Sequence, residues 1–202
     1  MKVLAITSGG LDSTVTYYKL KNDGHDVDAV FFDYGQRHRD QEHAALNSII
    51  PEHRTINVAL PDLDSALLGT SEVPAGEYEA GTMRATVVPF RNAVFLAYAV
   101  AIAENDGYDA VALGAHAGDH DLYPDCTPAF VEAFDVTAQA GTYNKVRVLA
   151  PFAHSTKRDI VKYGKSVGIG HVMAQTYSCY KGGGQPCGVC STCREREAAF
   201  AE

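Results

Sequence analysis

Residues 1–14 read Met1-Lys2-Val3-Leu4-Ala5-Ile6-Thr7-Ser8-Gly9-Gly10-Leu11-Asp12-Ser13-Thr14, a short apolar run that breaks at Ser-Gly-Gly and then resumes with a different period. Residues 2–7 carry the pattern of a buried strand, and Leu11, Val15 and Tyr18 give residues 11–21 the spacing of a helix. A strand that hands over to a helix through two glycines sets backbone N–H groups and the positive helix end around one concave turn, which is an anion site. The glycines let the main chain approach a phosphate, the hydroxyls of Ser8, Ser13 and Thr14 are donors, and Asp12 is placed to cap the helix or help hold Mg²⁺. The spacing is neither Gly-x-x-x-x-Gly-Lys-Ser/Thr nor Gly-x-Gly-x-x-Gly. Taken alone, Ser-Gly-Gly is also an ordinary tight turn.

Outward from this loop, strands are expected at 27–32, 55–58, 109–113 and 146–149, and helices at 39–50, 92–103, 127–140 and 156–167. Residues 92–103 are apolar almost all round, the mark of a helix buried within an α/β layer. The alternation predicts a doubly wound parallel sheet covered on both faces, with ligands at the C-terminal ends of the strands. Residues 60–88, rich in Pro, Gly, Asp and Glu, are expected to form a long irregular insertion. The chain divides into an α/β domain over 1–174 and a tail over 175–202.

In 202 residues, 17 Lys+Arg stand against 25 Asp+Glu, a formal charge of −8, with 46% hydrophobic and 21% charged residues. That composition supports a packed core and excludes a disordered or collagen-like chain. The acidic balance speaks against direct nucleic-acid binding, which needs clustered Lys and Arg. No 18-residue apolar run is present and the opening run is too short for a signal peptide, so no membrane contact and a cytoplasmic location are expected.

Of the five cysteines, Cys126 is isolated, while Cys179, Cys187, Cys190 and Cys193 crowd the tail. Four thiolates are the number a closed tetrahedral Zn²⁺ site takes, and Gly188 permits the turn that aims two sulfurs at one ion. An iron–sulfur cluster uses the same ligands. With no open coordination position, a structural zinc is expected.

Ser8-Gly-Gly-Leu-Asp-Ser13, directly after the first strand, resembles the pyrophosphate loop of ATP pyrophosphatases, which cleave ATP between its α and β phosphates and leave an adenylated substrate. Five segments, in order from residue 8 to 193, resemble the 7-cyano-7-deazaguanine synthase (QueC) family. They are that loop; Phe32-Asp-Tyr-Gly-Gln-Arg-His38; Val88-Pro-Phe-Arg-Asn92; Tyr123-Pro-Asp-Cys126; and Ser178-Cys-Tyr180 leading into Pro186-Cys-Gly-Val-Cys-Ser-Thr-Cys193. Asp121-Leu122 replaces the family's usual Ser-Gly, and His116 and His120 are not typical of it.

The resemblance implies an adenine nucleotide alpha hydrolase-like (PP-loop ATPase) fold with a small zinc-binding C-terminal appendage. It also implies ATP-dependent conversion of 7-carboxy-7-deazaguanine and ammonia to the nitrile, by a homodimer. Ser8, Gly9, Gly10, Leu11, Asp12, Ser13 and Thr14 then hold the pyrophosphate with Mg²⁺, with Ser8, Asp12 and Arg91 as the catalytic set. Asp33 stands where an acid takes ribose hydroxyls. Arg37 and Arg91 are candidates to neutralise phosphate or the substrate carboxylate. Asp119, Asp125 and Cys126 are expected on the substrate, Asp125 against the guanine-like edge or as a turn residue, and Cys126 as a thioester nucleophile or an inert thiol. His116 and His120 read either as metal ligands or as a polar wall of the site. Three other readings stay open: a tRNA thiolase, an amide-forming relative that makes 7-amido-7-deazaguanine, and a zinc-stapled module that binds nucleotide without turnover.

Overall fold

A computed structural model describes residues 1–69, 71–119 and 121–201. The chain runs β1 (Lys2–Ile6), α1 (Leu11–Asn22), β2 (Asp26–Asp33), α2 (Arg39–Ile49), β3 (His53–Asn57), a one-turn α3 (Ala80–Met83), α4 (Arg91–Asp106) and β4 (Ala110–Ala112). It continues through α5 (Pro128–Gly141), β5 (Arg147–Leu149), α6 (Lys157–Ser166), a short α7 (Gly170–Met173) and α8 (Ser191–Phe200). The five strands are all parallel, in the order β3-β2-β1-β4-β5.

The alternation of β1 separates two cores, because successive side chains leave a strand on opposite faces. Leu4 points to one face with Val30, Phe32, Val111 and Leu96 of α4. Val3 and Ala5 point to the other, against Tyr17 and Leu20 of α1 and Leu46 of α2. The sheet is thus covered on both sides, and β4 is buried at every residue. Strand order reverses between β1 and β4, so a crevice opens beyond their C-terminal ends, which is where such sheets bind ligands.

Helix boundaries follow local chemistry. The side chain of Thr127 accepts from Phe130 N–H ahead of α5, and Thr156 and Asp159 form a reciprocal capping box at α6. Gly107, at φ 73°, closes α4 in the left-handed conformation. The expected N-cap role of Asp12 is not found: the cap position of α1 is Gly10, with no side-chain cap, and Asp12 turns instead toward a lysine.

Two regions differ from the sequence pattern. The insertion at 60–88 holds α3 and a 3₁₀ turn at Arg84–Thr86. The tail carries α8, whose polar sequence hides its helical period, and Ala199 and Phe200 of this helix pack with Leu11, Ile160 and Met173. Insertion and tail meet at a β-bridge between Ala75 and Cys190. Among the described residues, no helix is long and apolar enough to cross a membrane.

Candidate active site

The loop after β1 is held by its own hydroxyls. Ser8 N–H donates to Ser13 Oγ at 3.2 Å, and Gly10 N–H donates to Ser8 Oγ at 3.2 Å. Gly9 is obligatory, since its φ is +80° and a Cβ there would lie 2.3 Å from the Glu42 carbonyl oxygen of α2. Across the crevice, Gly114 ends β4 so close that a Cβ would lie 2.8 Å from Ser13 Cα. The N-terminal N–H groups of α1, lacking a side-chain cap, face this turn.

The loop forms one end of a cavity of about 190 Å³. Behind it sits a cluster of charge. Lys157, the first residue of α6, reaches Asp12 Oδ2 at 3.3 Å and Glu195 Oε2 of α8 at 2.5 Å. Burial works against the Lys157 charge, but Asp12, Glu195 and Asp119 more than offset it and hold the ammonium protonated. Asp119 accepts from the Tyr78 hydroxyl at 2.8 Å. Asp12 Oδ1 is buried without a hydrogen-bond partner among the described residues. That orphan oxygen, with Asp119 near, suits a hard divalent cation shared with phosphate oxygens.

His116 is 1% exposed and accepts Gly118 N–H at Nδ1, 3.1 Å away, so the neutral ring carries its proton on Nε2. That proton faces Asp119 Oδ2 at 3.6 Å and Asp12 Oδ2 at 3.9 Å. At those distances Nε2 makes no hydrogen bond among the described residues, and His116 stands buried beside the two carboxylates in the polar wall behind the loop. His120 lies outside the described residues.

The other end of the cavity is aromatic, with Tyr34, Phe95, Tyr123 and Tyr180 in its wall. Arg91, the first residue of α4, donates to the Tyr34 hydroxyl at 2.8 Å and lies 5.4 Å from the Tyr34 ring and 5.8 Å from the Phe95 ring. No carboxylate pairs with this guanidinium among the described residues. Nearby, Gln36 donates to Glu42 Oε2 at 3.1 Å, and His38 Nε2 is 3.6 Å from Glu42 Oε1. Burial pushes the Glu42 carboxyl up to about 7, opposed by the Gln36 hydrogen bond and Arg91. Burial, with Arg91 and Arg37, pushes His38 down to about 3. Burial likewise raises the Cys126 thiol well above its ordinary range, helped by Asp119 and Asp125, so it sits there as a neutral group.

Of the residues singled out from sequence, the structure brings Ser8, Gly10, Asp12, Ser13, Arg91, Asp119 and Cys126 into this one wall. Leu11 and Thr14 turn into the core. Asp33 accepts from Arg39 Nε at 2.7 Å and from Gly35 N–H, outside the wall. Arg37 donates to the Ser71 and Ala66 carbonyls and so ties down the insertion. Asp125 accepts Asn92 N–H at 2.9 Å, serving the start of α4. Sequence reasoning missed Lys157, Glu42, Tyr78 and Tyr180. Only Tyr180 belongs to one of the five family segments, and Lys157 was visible only as the residue after a helix cap.

The cysteine cluster is a second centre. Sγ atoms of Cys179, Cys187, Cys190 and Cys193 all lie within 4.8 Å of one another, with Cys187–Cys193 and Cys179–Cys190 each at 4.0 Å. Tetrahedral Zn–S bonds of about 2.3 Å place sulfurs about 3.8 Å apart, so the set fits such an ion. Gly188, at φ +70°, makes the turn, and Cys190 stands at the N-cap position of α8.

Fold and site together define a parallel α/β enzyme with a glycine-rich anion loop at the reversal of strand order. A family model described as queuosine biosynthesis protein QueC matches residues 2–202, and the chain belongs to that family. It is similar to the 7-cyano-7-deazaguanine synthase of Paracoccus denitrificans (strain Pd 1222), 44% identical across 99% of this chain and 88% of that protein. It is also 39% identical to the 7-cyano-7-deazaguanine synthase of Marinomonas sp. (strain MWYL1), over 100% of this chain and 94% of that one. Among solved structures, NMN synthetase from Francisella tularensis shares 17% identity at a TM-score of 0.47, covering 93% of this chain and 70% of its own, a likeness too distant to bear on the site.

Proposed function

We propose that this chain converts 7-carboxy-7-deazaguanine and ammonia to 7-cyano-7-deazaguanine at the expense of ATP. The observation that carries the reading is a single cavity with an anion loop at one end and an arginine without a carboxylate partner, set among aromatic rings, at the other. The aromatic end suits a flat heterocycle, and the guanidinium matches its carboxylate.

A carboxylate is a poor electrophile, so its oxygen must first become a leaving group. Ser8, Gly10 and Ser13 with the N-terminus of α1 receive the β and γ phosphates, and Lys157, which lines the same cavity, offers them the N–H not taken by Asp12 and Glu195. Arg91 holds the carboxylate in line with the α-phosphate. The carboxylate oxygen bonds to that phosphorus as the bond to the bridging oxygen breaks, and pyrophosphate leaves into the loop. Ammonia then displaces AMP to give the amide. Activating the amide oxygen the same way and eliminating it with the remaining protons gives the nitrile. The chain contributes positioning and charge stabilisation. Asp12 and Asp119 would hold Mg²⁺, which when bound neutralises phosphate charge. The four cysteines would hold a structural Zn²⁺, which fixes the tail over 175–202.

The enzyme works in the cytoplasm, where adjacent thiols stay reduced for a metal. It acts as a homodimer through the outward side of α4 and α5, where Phe90, Tyr98 and Val136 are exposed. Phe90 keeps its ring outside even at φ 60°, a strained angle for a bulky residue.

The test is incubation with ATP, Mg²⁺, ammonium and 7-carboxy-7-deazaguanine, with products read by mass spectrometry. Nitrile with AMP and pyrophosphate is expected. Amide alone would assign the chain to the amide-forming kind, and unconsumed ATP would remove both. Asp12→Ala is expected to lower turnover by about 100-fold or more, as for loss of a group that stabilises developing charge.

A further inference from the structure

We propose that Glu195, on the helix that begins in the cysteine cluster, is a positioning residue for the phosphate end of the cavity and acts through Lys157. The inference rests on the proposed reading of residues 8–14 as the loop that receives ATP.

Cys190 stands at the N-cap position of α8 and Cys193 lies in its first turn, so two of the four sulfurs set where this helix starts. Thr192 lies in the cavity wall, and Glu195, three residues on, shares its face of the helix. From there Glu195 Oε2 takes one N–H of Lys157 at 2.5 Å, while Asp12 Oδ2 lies on the ammonium at 3.3 Å. An ammonium has three donors, so one remains for the cavity that Lys157 lines.

The lysine stem is long and flexible, with about 2 kcal/mol of rotamer entropy to restrain. Held by Asp12 alone, the ammonium would be drawn onto a carboxylate of the loop itself. Glu195 pulls from the opposite element and keeps it between the two. Helix α8 is in turn anchored by Arg196, which donates to Thr176 Oγ1 at 2.7 Å, to Ser178 Oγ at 3.1 Å and to the Met173 carbonyl at 2.8 Å. The segment it clamps contains Tyr177, whose N–H donates to the Gly9 carbonyl at 2.9 Å. The tail therefore reaches the loop twice, once through main chain at Gly9 and once through the Glu195–Lys157–Asp12 chain of charges.

The experiment compares Glu195→Gln, Lys157→Met and the double variant by steady-state kinetics and by equilibrium binding of ATP. Glu195→Gln is expected to raise KM for ATP about 10-fold, the size of one weakened hydrogen bond to a charged group, with KM for the carboxylated base and the bound metal content unchanged. In the Lys157→Met background the same change is expected to add nothing, since its effect passes through the missing ammonium. An unchanged KM for ATP in Glu195→Gln, full additivity in the double variant, or an equal rise in both KM values overturns the proposal alone. Unaltered ATP binding in Lys157→Met overturns it together with the reading of the loop.

Discussion

Glu42 and His38 face each other in the cavity wall with opposite perturbations, and their linkage to folding has opposite signs. Glu42 titrates near 4.5 when exposed and near 7 in the fold, so the stability its neutral form gives is complete below about 4.5 and is lost as pH rises through about 7. His38 titrates near 6.5 when exposed and near 3 in the fold, so its contribution is present above about 6.5 and is lost as pH falls through about 3. Between about pH 4.5 and about pH 6.5 the two trends oppose each other, and of this pair only Glu42 still titrates above about pH 6.5. Between about pH 6.5 and about pH 8 the melting temperature of Glu42→Gln, read by thermal denaturation, is therefore expected to fall less, or rise more, than that of the parent; a variant that tracks the parent contradicts the assignment. Neither residue was readable as special in sequence. His38 ends one of the five family segments, but burial decides its state, and burial is a tertiary property. The loop residues were readable because glycines and hydroxyls at a strand-to-helix junction act through the backbone. Asp33, Arg37 and Asp125 show the reverse case, polar residues in or near motifs whose side chains serve the scaffold around the cavity.

At the level of elements, the loop after β1 and α2 come close at Gly9. Gly9 combines a left-handed φ with a carbonyl 2.3 Å from the place of its Cβ, whereas Gly35, at φ +79°, has nothing within 4 Å. Gly35→Ala meets only the backbone penalty of about 1–2 kcal/mol, while Gly9→Ala must also displace α2. Gly9→Ala is expected to lower the melting temperature by at least about 4 °C more than Gly35→Ala, and equal losses would show that α2 gives way freely. Apart from α3, the order and kinds of the elements from β1 to α6 were readable, because central strands such as β1 and β2 are continuous apolar runs and the helices stop at Gly, Pro or polar caps. Helix α8 was not, since Ser-Thr-Cys-Arg-Glu-Arg-Glu buries one side through Thr192, Cys193 and Ala199 with little apolar periodicity. Its place comes from the cysteine turn before it and from Arg196 and Glu195, contacts between segments remote in sequence.

For the whole molecule, the −8 charge is compatible with an anionic substrate because the cations that matter are inside. Lys157 and Arg91 both line one cavity, Lys157 paired with Asp12 and Glu195 and Arg91 without a carboxylate partner among the described residues. The exposed side chains of Phe90, Tyr98 and Val136 are not among the residues that line that cavity. Light scattering is expected to give about twice the 21.7 kDa chain mass for the parent and the single-chain mass for Tyr98→Glu, with a dimeric variant or a monomeric parent counting against this face.

The bond from Tyr177 N–H to the Gly9 carbonyl bears on how the molecule comes into being. Synthesis proceeds from the N-terminus, and early segments can begin to fold as they emerge. The loop at residues 8–14 is made before its main-chain tie, its lysine and the partner of that lysine, which arrive only with residues 177, 157 and 195. A ribosome-bound or prematurely ended chain thus carries the loop sequence without the geometry, and nucleotide affinity appears late, after the cysteine turn has been made.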